Sequence, residues 1–196
     1  MRRGDRALVT PRASVFQAGV RDAAQNQPEQ MIVVGIDPGL ANTGYGVVER
    51  RRGRLVALDG DVVQTRAQAS SERRLGELHE ALTALLREHR PTAMALETLY
   101  FGHNARSAFA VGQARGVAML CAGQHAVECF SYTTQQVKGA VCGSGRAAKV
   151  QVARMVAALL ALPTEPHPDH ATDALAVAIC HANHAPFSSA LAAVAR

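Results

Sequence analysis

Four residues stand out for the chemistry they could do together: Asp37, Glu97, His170 and Asp173. Asp37 closes the apolar run Met31–Ile36 and is followed by Pro38 and Gly39, and Glu97 closes the shorter run Ala93–Leu96. A carboxylate at the exit of a buried strand loses hydration unless a cation or N–H groups compensate it. His170 and Asp173 are three residues apart, so on a helix they share one face. Three carboxylates and an imidazole brought to one point repel one another unless cations are bound, and oxygen-rich sites suit Mg²⁺ or Mn²⁺. Two such ions about 4 Å apart can activate a water and stabilise the leaving oxygen of a phosphodiester. Each pattern also has a plainer local reading. Asp37 before Pro-Gly could simply open a turn, and acids at a helix start need no metal. Asp169 sits one residue off the His170/Asp173 face and reads as a helix cap either way.

The lysines are the second signal. Of 21 basic Lys and Arg residues only Lys138 and Lys149 are lysine, and they flank one Gly-rich loop that contains Gly143 and Gly145. An ammonium is a compact charge on a flexible stem, whereas guanidinium is a planar fork, so the two are not interchangeable at a site. Chance placement of two rare residues is the competing explanation.

The elements that must position these groups can be read coarsely. Ile32–Ile36, Thr43–Arg50 and Leu55–Val63 read as strands of a meander, with the Gly-rich return at Gly39–Gly44 allowing close backbone approach to whatever Asp37 holds. Leu75, Leu78, Leu82, Leu85 and Leu86 recur at helical spacing over Ser71–His89. Ala93–Glu97 is a buried strand, and Asn104 is the expected N-cap of a helix reaching about Ala122. Along that helix Ala108, Gly112 and Gly116 form a small-residue stripe that permits close packing. Ala126–Phe130 reads as a fifth strand, and Val150–Leu160 and Asp169–Asn183 as helices. In the last of these Ala174, Leu175, Val177, Ala178 and Ile179 should pack on the sheet and aim His170 and Asp173 at the strand ends. Strands followed by alternating helix and strand give an α/β domain around one central five-stranded mixed sheet flanked by helices.

Composition bounds the rest. With 196 residues and 48% apolar content the chain suits one domain with a full core. No apolar run approaches the ~18 residues of a membrane span. Cys121, Cys129, Cys142 and Cys180 show neither CxxC pairing nor zinc spacing, which fits free thiols in a cytoplasmic protein. The net charge of +5 permits a polyanionic partner without requiring one. Residues 1–30 lack a sustained period and end in a polar run, so they read as a disordered extension or a misplaced start; 31–184 would be the folded domain and 185–196 a tail.

The segments GIDPGLANTGYGVV, Glu97–Ala118, Gln135–Val152 and Asp169–His181 together resemble the RuvC family of bacterial Holliday-junction resolvases, in the ribonuclease-H-like nuclease superfamily. The resemblance covers roughly 31–184 and none of the first thirty residues. It implies a ribonuclease-H-like fold and places four metal-binding catalytic positions on Asp37, Glu97, His170 and Asp173, holding two Mg²⁺ or Mn²⁺ ions. Many members carry Asp where this chain has His170, which removes a negative charge and adds a softer ligand. The resemblance also puts Lys138 and Lys149 on basic DNA-contacting positions, with Arg146, Arg106 and Arg115 as further phosphate contacts. Tyr100 and Phe101 fall where the family stacks an aromatic on bases unpaired at the junction, with Tyr100 the aligned ring. It further implies a homodimer, to which the small-residue stripe would contribute. The expected activity is symmetric nicking of two like strands to leave 5′-phosphate and 3′-hydroxyl ends, alongside a junction-binding protein and a branch-migration helicase. An actin-type ATP-binding protein would share the opening strand and hairpin but needs a second phosphate loop that the remaining length does not offer. A non-catalytic nucleic-acid-binding module would leave the acids without purpose. A generic ribonuclease H fits less well with the paired lysines and Tyr100-Phe101.

Overall fold

The computed structural model describes residues 30–98 and 105–194, with side chains described over 31–98 and 108–184. The expected extension therefore lies outside the described residues, as do Tyr100, Phe101, Asn104 and the side chain of Arg106. The elements run β1 (Gln30–Asp37), β2 (Asn42–Arg51), β3 (Arg54–Gln64), α1 (Ser71–His89), β4 (Ala93–Glu97), α2 (Ala105–Gln124), β5 (Glu128–Tyr132), α3 (Thr134–Cys142), α4 (Lys149–Leu159) and α5 (Asp169–Val194). The sheet order is β3-β2-β1-β4-β5, antiparallel through the meander and parallel from β1 to β4 to β5.

Alternation along the strands divides the core. Val34, Ile36, Met94 and Leu96 face α1 and α2, whose buried side chains include Leu78, Leu82, Ala114 and Ala118. Val33, Val48 and Ala95 face the opposite layer, built from α3, α4 and α5. Because successive side chains point to opposite faces, Asp37 and Glu97 continue the Val33 and Ala95 rows on the α5 side. β1 and β4 pair in parallel up to Ile36 opposite Leu96, so the two acids leave the sheet side by side at adjacent strand ends.

α5 lies directly on this face. A Cβ on Gly35 would overlap the Ala174 carbonyl oxygen and come within 2.7 Å of the Ala178 nitrogen. One on Gly44 would overlap the His170 carbonyl oxygen, and one on Gly46 would reach 2.7 Å from the Leu175 nitrogen. Gly35 pairs with Gly46 across β1 and β2, and Gly44 pairs with Asp37, so the glycines form a groove leading to the first acid. The Gly-rich return thus admits the main chain of α5; the close approach at Gly44 is to His170 itself.

Four expectations shift. The segment before Lys149 contains α3, a helix not expected from the sequence, although Thr133 and Gln136 form a capping box and Val137 and Val141 are buried at i, i+4. β5 begins two residues late, because α2 runs to Gln124 and is followed by a turn with Ala126 at φ 54°. α5 continues to Val194 past the expected end at Asn183. The stripe on α2 does not pack against the described residues: a Cβ on Gly112 or Gly116 would meet none of their atoms within 4 Å. It lies instead on an outer face with the exposed Phe109, Met119 and Leu120. Among the described residues no helix is long and apolar enough to cross a membrane.

The glycine groove leads to a prediction. Gly35→Ala should cost about 1–3 kcal/mol, the range for overpacking a filled core, because the new methyl meets backbone atoms that cannot rotate away. Urea unfolding followed by circular dichroism measures it, and an unchanged midpoint would show that α5 is not held against β1.

Candidate active site

The site gathers at the carboxyl ends of β1 and β4, beneath the first turns of α5. Such strand ends are where open α/β sheets bind ligands, because side chains from neighbouring strands converge there without a covering layer. His170 Nδ1 lies 2.7 Å from Asp37 Oδ2. A carboxylate can only accept, so Nδ1 carries the proton and Nε2 is the nitrogen with a lone pair to offer. A carboxylate paired with an imidazole in this way fixes the tautomer and direction of the ring.

Glu97 accepts a hydrogen bond from Thr134 Oγ1. Its carboxyl is pushed above the usual carboxylate range, first by burial and then by the charges of Asp37 and Asp173, against the Thr134 hydroxyl and Lys138. Asp173 is likewise raised, mainly by burial, with Lys149 opposing. Lys149 is the first residue of α4, and its ammonium sits 3.2 Å from Asp169 Oδ2 and 3.3 Å from Asp173 Oδ2. Burial works to lower its pKa, but the facing Asp173 and Asp169 together hold it above the ordinary lysine value. Asp169 therefore does more than begin the helix, since it shares this cation with Asp173.

In this arrangement each acid has its own local partner: His170 for Asp37, Thr134 for Glu97, Lys149 for Asp173. Among the described residues no three His, Cys, Asp or Glu side chains are gathered closely enough to enclose one ion. The donor set nonetheless fits a hard divalent cation by its chemistry. Two of its carboxyls are raised by burial and by like charges, and the Lys149 ammonium bridges Asp169 and Asp173 of α5.

The remaining expected residues divide. Lys138 lies on α3, close enough to bear on the Glu97 carboxyl. Arg146 is exposed in the loop between α3 and α4. Arg115 engages two of its donors within the chain: Nη1 donates to the Glu97 carbonyl oxygen at 3.0 Å and Nη2 to Ser131 Oγ at 2.7 Å. Its guanidinium is occupied in tying α2 to the ends of β4 and β5. Thr134 was not legible as a site residue because the helix it begins was not recognised; the Thr-x-x-Gln capping pattern starting at Thr133 was the available signal.

The family model for crossover junction endodeoxyribonuclease RuvC matches residues 33–181. The chain belongs to this family. Crossover junction endodeoxyribonuclease RuvC of Pelotomaculum thermopropionicum is 47% identical over 79% of this chain and 94% of that protein. The Moorella thermoacetica RuvC is 48% identical over 80% and 94%. Thermus thermophilus RuvC, solved in complex with Holliday junction substrate, has a TM-score of 0.78 at 38% identity, covering 81% of this chain and 96% of that one. As a member of the RuvC family the chain is an endodeoxyribonuclease with the ribonuclease-H-like fold. The family's nucleases depend on divalent metal, which agrees with the donor set at the strand ends.

The raised carboxyls predict a stability effect whose sign can be worked out. A carboxyl with its folded pKa above the unfolded value is destabilising when ionised, fully so above the folded pKa and not at all below the unfolded one. Glu97→Gln removes the charge and keeps an acceptor for Thr134. It should raise the melting temperature of the metal-free protein at neutral pH, by about 2–4 °C if the relief is near 1 kcal/mol. The advantage should shrink as pH falls and Glu97 takes up its proton. Melting curves from pH 4 to 8 test this, and a lower melting temperature in the variant at pH 7 would contradict it.

Proposed function

We propose that the chain is a homodimeric Holliday-junction resolvase that nicks two strands of like polarity and leaves 5′-phosphate and 3′-hydroxyl ends. The observation that carries this reading is the placement of Asp37 and Glu97 on adjacent strand ends beneath His170 and Asp173, with two lysines alongside, in a chain similar to a RuvC solved with junction substrate.

Asp37, Glu97, Asp173 and Nε2 of His170 would hold Mg²⁺ or Mn²⁺, two ions per site. When bound, the ions supply a polarised water and neutralise charge at the leaving oxygen. The protein's own part is to keep the acids fixed and the phosphate oriented. Lys149 balances Asp173 and Asp169 until phosphate arrives and then faces the developing charge, where a pre-placed cation favours the transition state over the ground state. Lys138 contributes from the α3 side, and Arg146 and Arg106 contact flanking phosphates, which position DNA without reading its sequence. Tyr100 and Phe101 stack on unpaired bases, worth ~1–3 kcal/mol per base. Arg115 is a weaker phosphate contact, since two of its donors are already engaged within the chain. The imidazole of His170 favours Mn²⁺ over Mg²⁺, since nitrogen donors suit the softer ion. The enzyme works in the cytoplasm beside a junction-binding protein and a branch-migration helicase.

Two equivalent nicks call for two equivalent sites, which a two-fold dimer provides. The outer face of α2 suits such a contact, because Phe109, Met119 and Leu120 are exposed beside the bare backbone at Gly112 and Gly116. Phe109→Glu should convert the protein to a monomer in light scattering and uncouple the paired nicks; an unchanged dimer would place the interface elsewhere.

The deciding assay compares a synthetic four-way junction with linear duplex, with Mg²⁺, Mn²⁺ or neither. Cleavage should be confined to the junction, need the ion and run faster with Mn²⁺. Asp37→Asn should abolish nicking while junction affinity stays near wild type or tightens, because a carboxylate facing phosphate has been removed. Wild-type cleavage by that variant would end the assignment of Asp37.

A further inference from the structure

We propose that Thr134 is a positioning residue that pre-orients the Glu97 carboxylate for the metal. This rests on the reading of Glu97 as a metal-binding acid and adds a residue to it. Thr134 Oγ1 lies 2.5 Å from Glu97 Oε1 and is the donor, since a carboxylate only accepts. Hydrogen bonds to ionised acceptors are short and roughly twice as strong as neutral ones. The rotation of a glutamate carboxylate about its last bond is otherwise soft. Pinning Oε1 fixes the plane in which Oε2 is presented.

The backbone that carries this hydroxyl is held on both sides. Thr134 is the first residue of α3, and the helix start is locked by a reciprocal cap. Gln136 N–H donates to Thr133 Oγ1 at 3.2 Å and Thr133 N–H donates to the Gln136 side chain at 2.8 Å. Two residues earlier, Tyr132 ends β5 directly opposite Glu97, and its carbonyl accepts from Thr98 N–H at 2.7 Å. The β-branched side chain of threonine has few χ1 states, so once the backbone is fixed the hydroxyl is aimed.

The other end of Glu97 is held as well. Arg115 Nη1 binds the Glu97 carbonyl oxygen and Nη2 binds Ser131 Oγ, joining β4 to β5 from the α2 side. Thr134 fixes the carboxylate and Arg115 fixes the main chain, so Glu97 is clamped at both ends while it sits among the charges of Asp37 and Asp173. Removing an outer partner of this kind typically weakens metal binding about 10–100-fold.

The test uses Thr134→Val, which keeps the shape and loses the hydroxyl, and Thr134→Ser, which keeps the hydroxyl. Thr134 is exposed, so neither change disturbs the core. Mn²⁺ affinity is measured by titration calorimetry and electron paramagnetic resonance, beside thermal melting and junction affinity in Ca²⁺. Thr134→Val should bind Mn²⁺ about 10-fold more weakly, with melting and junction affinity unchanged, and Thr134→Ser should restore binding to within a few-fold of wild type. In a Glu97→Gln background Thr134→Val should have no further effect, since its action passes through that carboxylate. Wild-type Mn²⁺ affinity in Thr134→Val, or failure of Thr134→Ser to restore it, overturns the proposal. If Glu97→Gln alone leaves Mn²⁺ affinity unchanged, the metal-ligand reading of Glu97 fails and the role of Thr134 falls with it. If Glu97→Gln weakens binding and Thr134→Val does not, only the role of Thr134 fails.

Discussion

The main chain of α5 comes directly against the glycines of β1 and β2, and the geometry of the site depends on that contact. Gly35, Gly44 and Gly46 leave a groove into which the carbonyls of His170 and Ala174 and the nitrogens of Leu175 and Ala178 settle. Small residues on the helix, Ala174 and Ala178, complete the fit and are fully buried. His170 and Asp173 are thereby delivered to the exit of β1 by packing of the segment immediately after them. Protein interiors are close-packed, so this approach distance has little freedom to relax. That rigidity allows a 2.7 Å contact between His170 and Asp37, residues from opposite ends of the folded chain.

The cost of this convergence is electrostatic. Glu97 and Asp173 are partly desolvated, and both carboxyls are raised, first by burial and then by neighbouring acids: Asp37 and Asp173 for Glu97, Asp37 and Asp169 for Asp173. The fold tolerates them by giving each a local partner: a hydroxyl, an ammonium or an imidazole. These partners are weaker or more mobile than a divalent ion would be. The site therefore has capacity for more positive charge. Perturbed acids at strand ends are also where catalytic function concentrates, since the features that destabilise them make them avid for cations.

Positioning reaches beyond the acids. Arg115 from α2 and Thr134 from α3 approach Glu97 from opposite layers of the sheet, one on the main chain and one on the carboxylate. Arg115 shows how a basic residue can also serve the scaffold. Its charge is consistent with phosphate contact, and only its neighbours reveal that two of its donors are already engaged within the chain.

The sequence alone determined the elements whose periodicity is strong and local. The leucine spacing of α1 and the run ending on Glu97 matched the structure at both boundaries, and the apolar face of α5 packs as its pattern requires. The strand-end acids and the His170/Asp173 pair were legible because carboxylates and imidazole in such positions demand an explanation from chemistry. α3 was missed because it is short and lies among glycines, where turn signals outweigh a two-residue apolar pattern. The late start of β5 depended on how far α2 extends, which is settled by packing against α1. Only the tertiary structure could decide that the glycines of the first hairpin admit a helix, that Arg115 bonds to Glu97 and Ser131, and that Thr134 touches Glu97. Each of these is a contact between segments distant in sequence, and residue types state what a group can bond to while only the fold states what stands within reach.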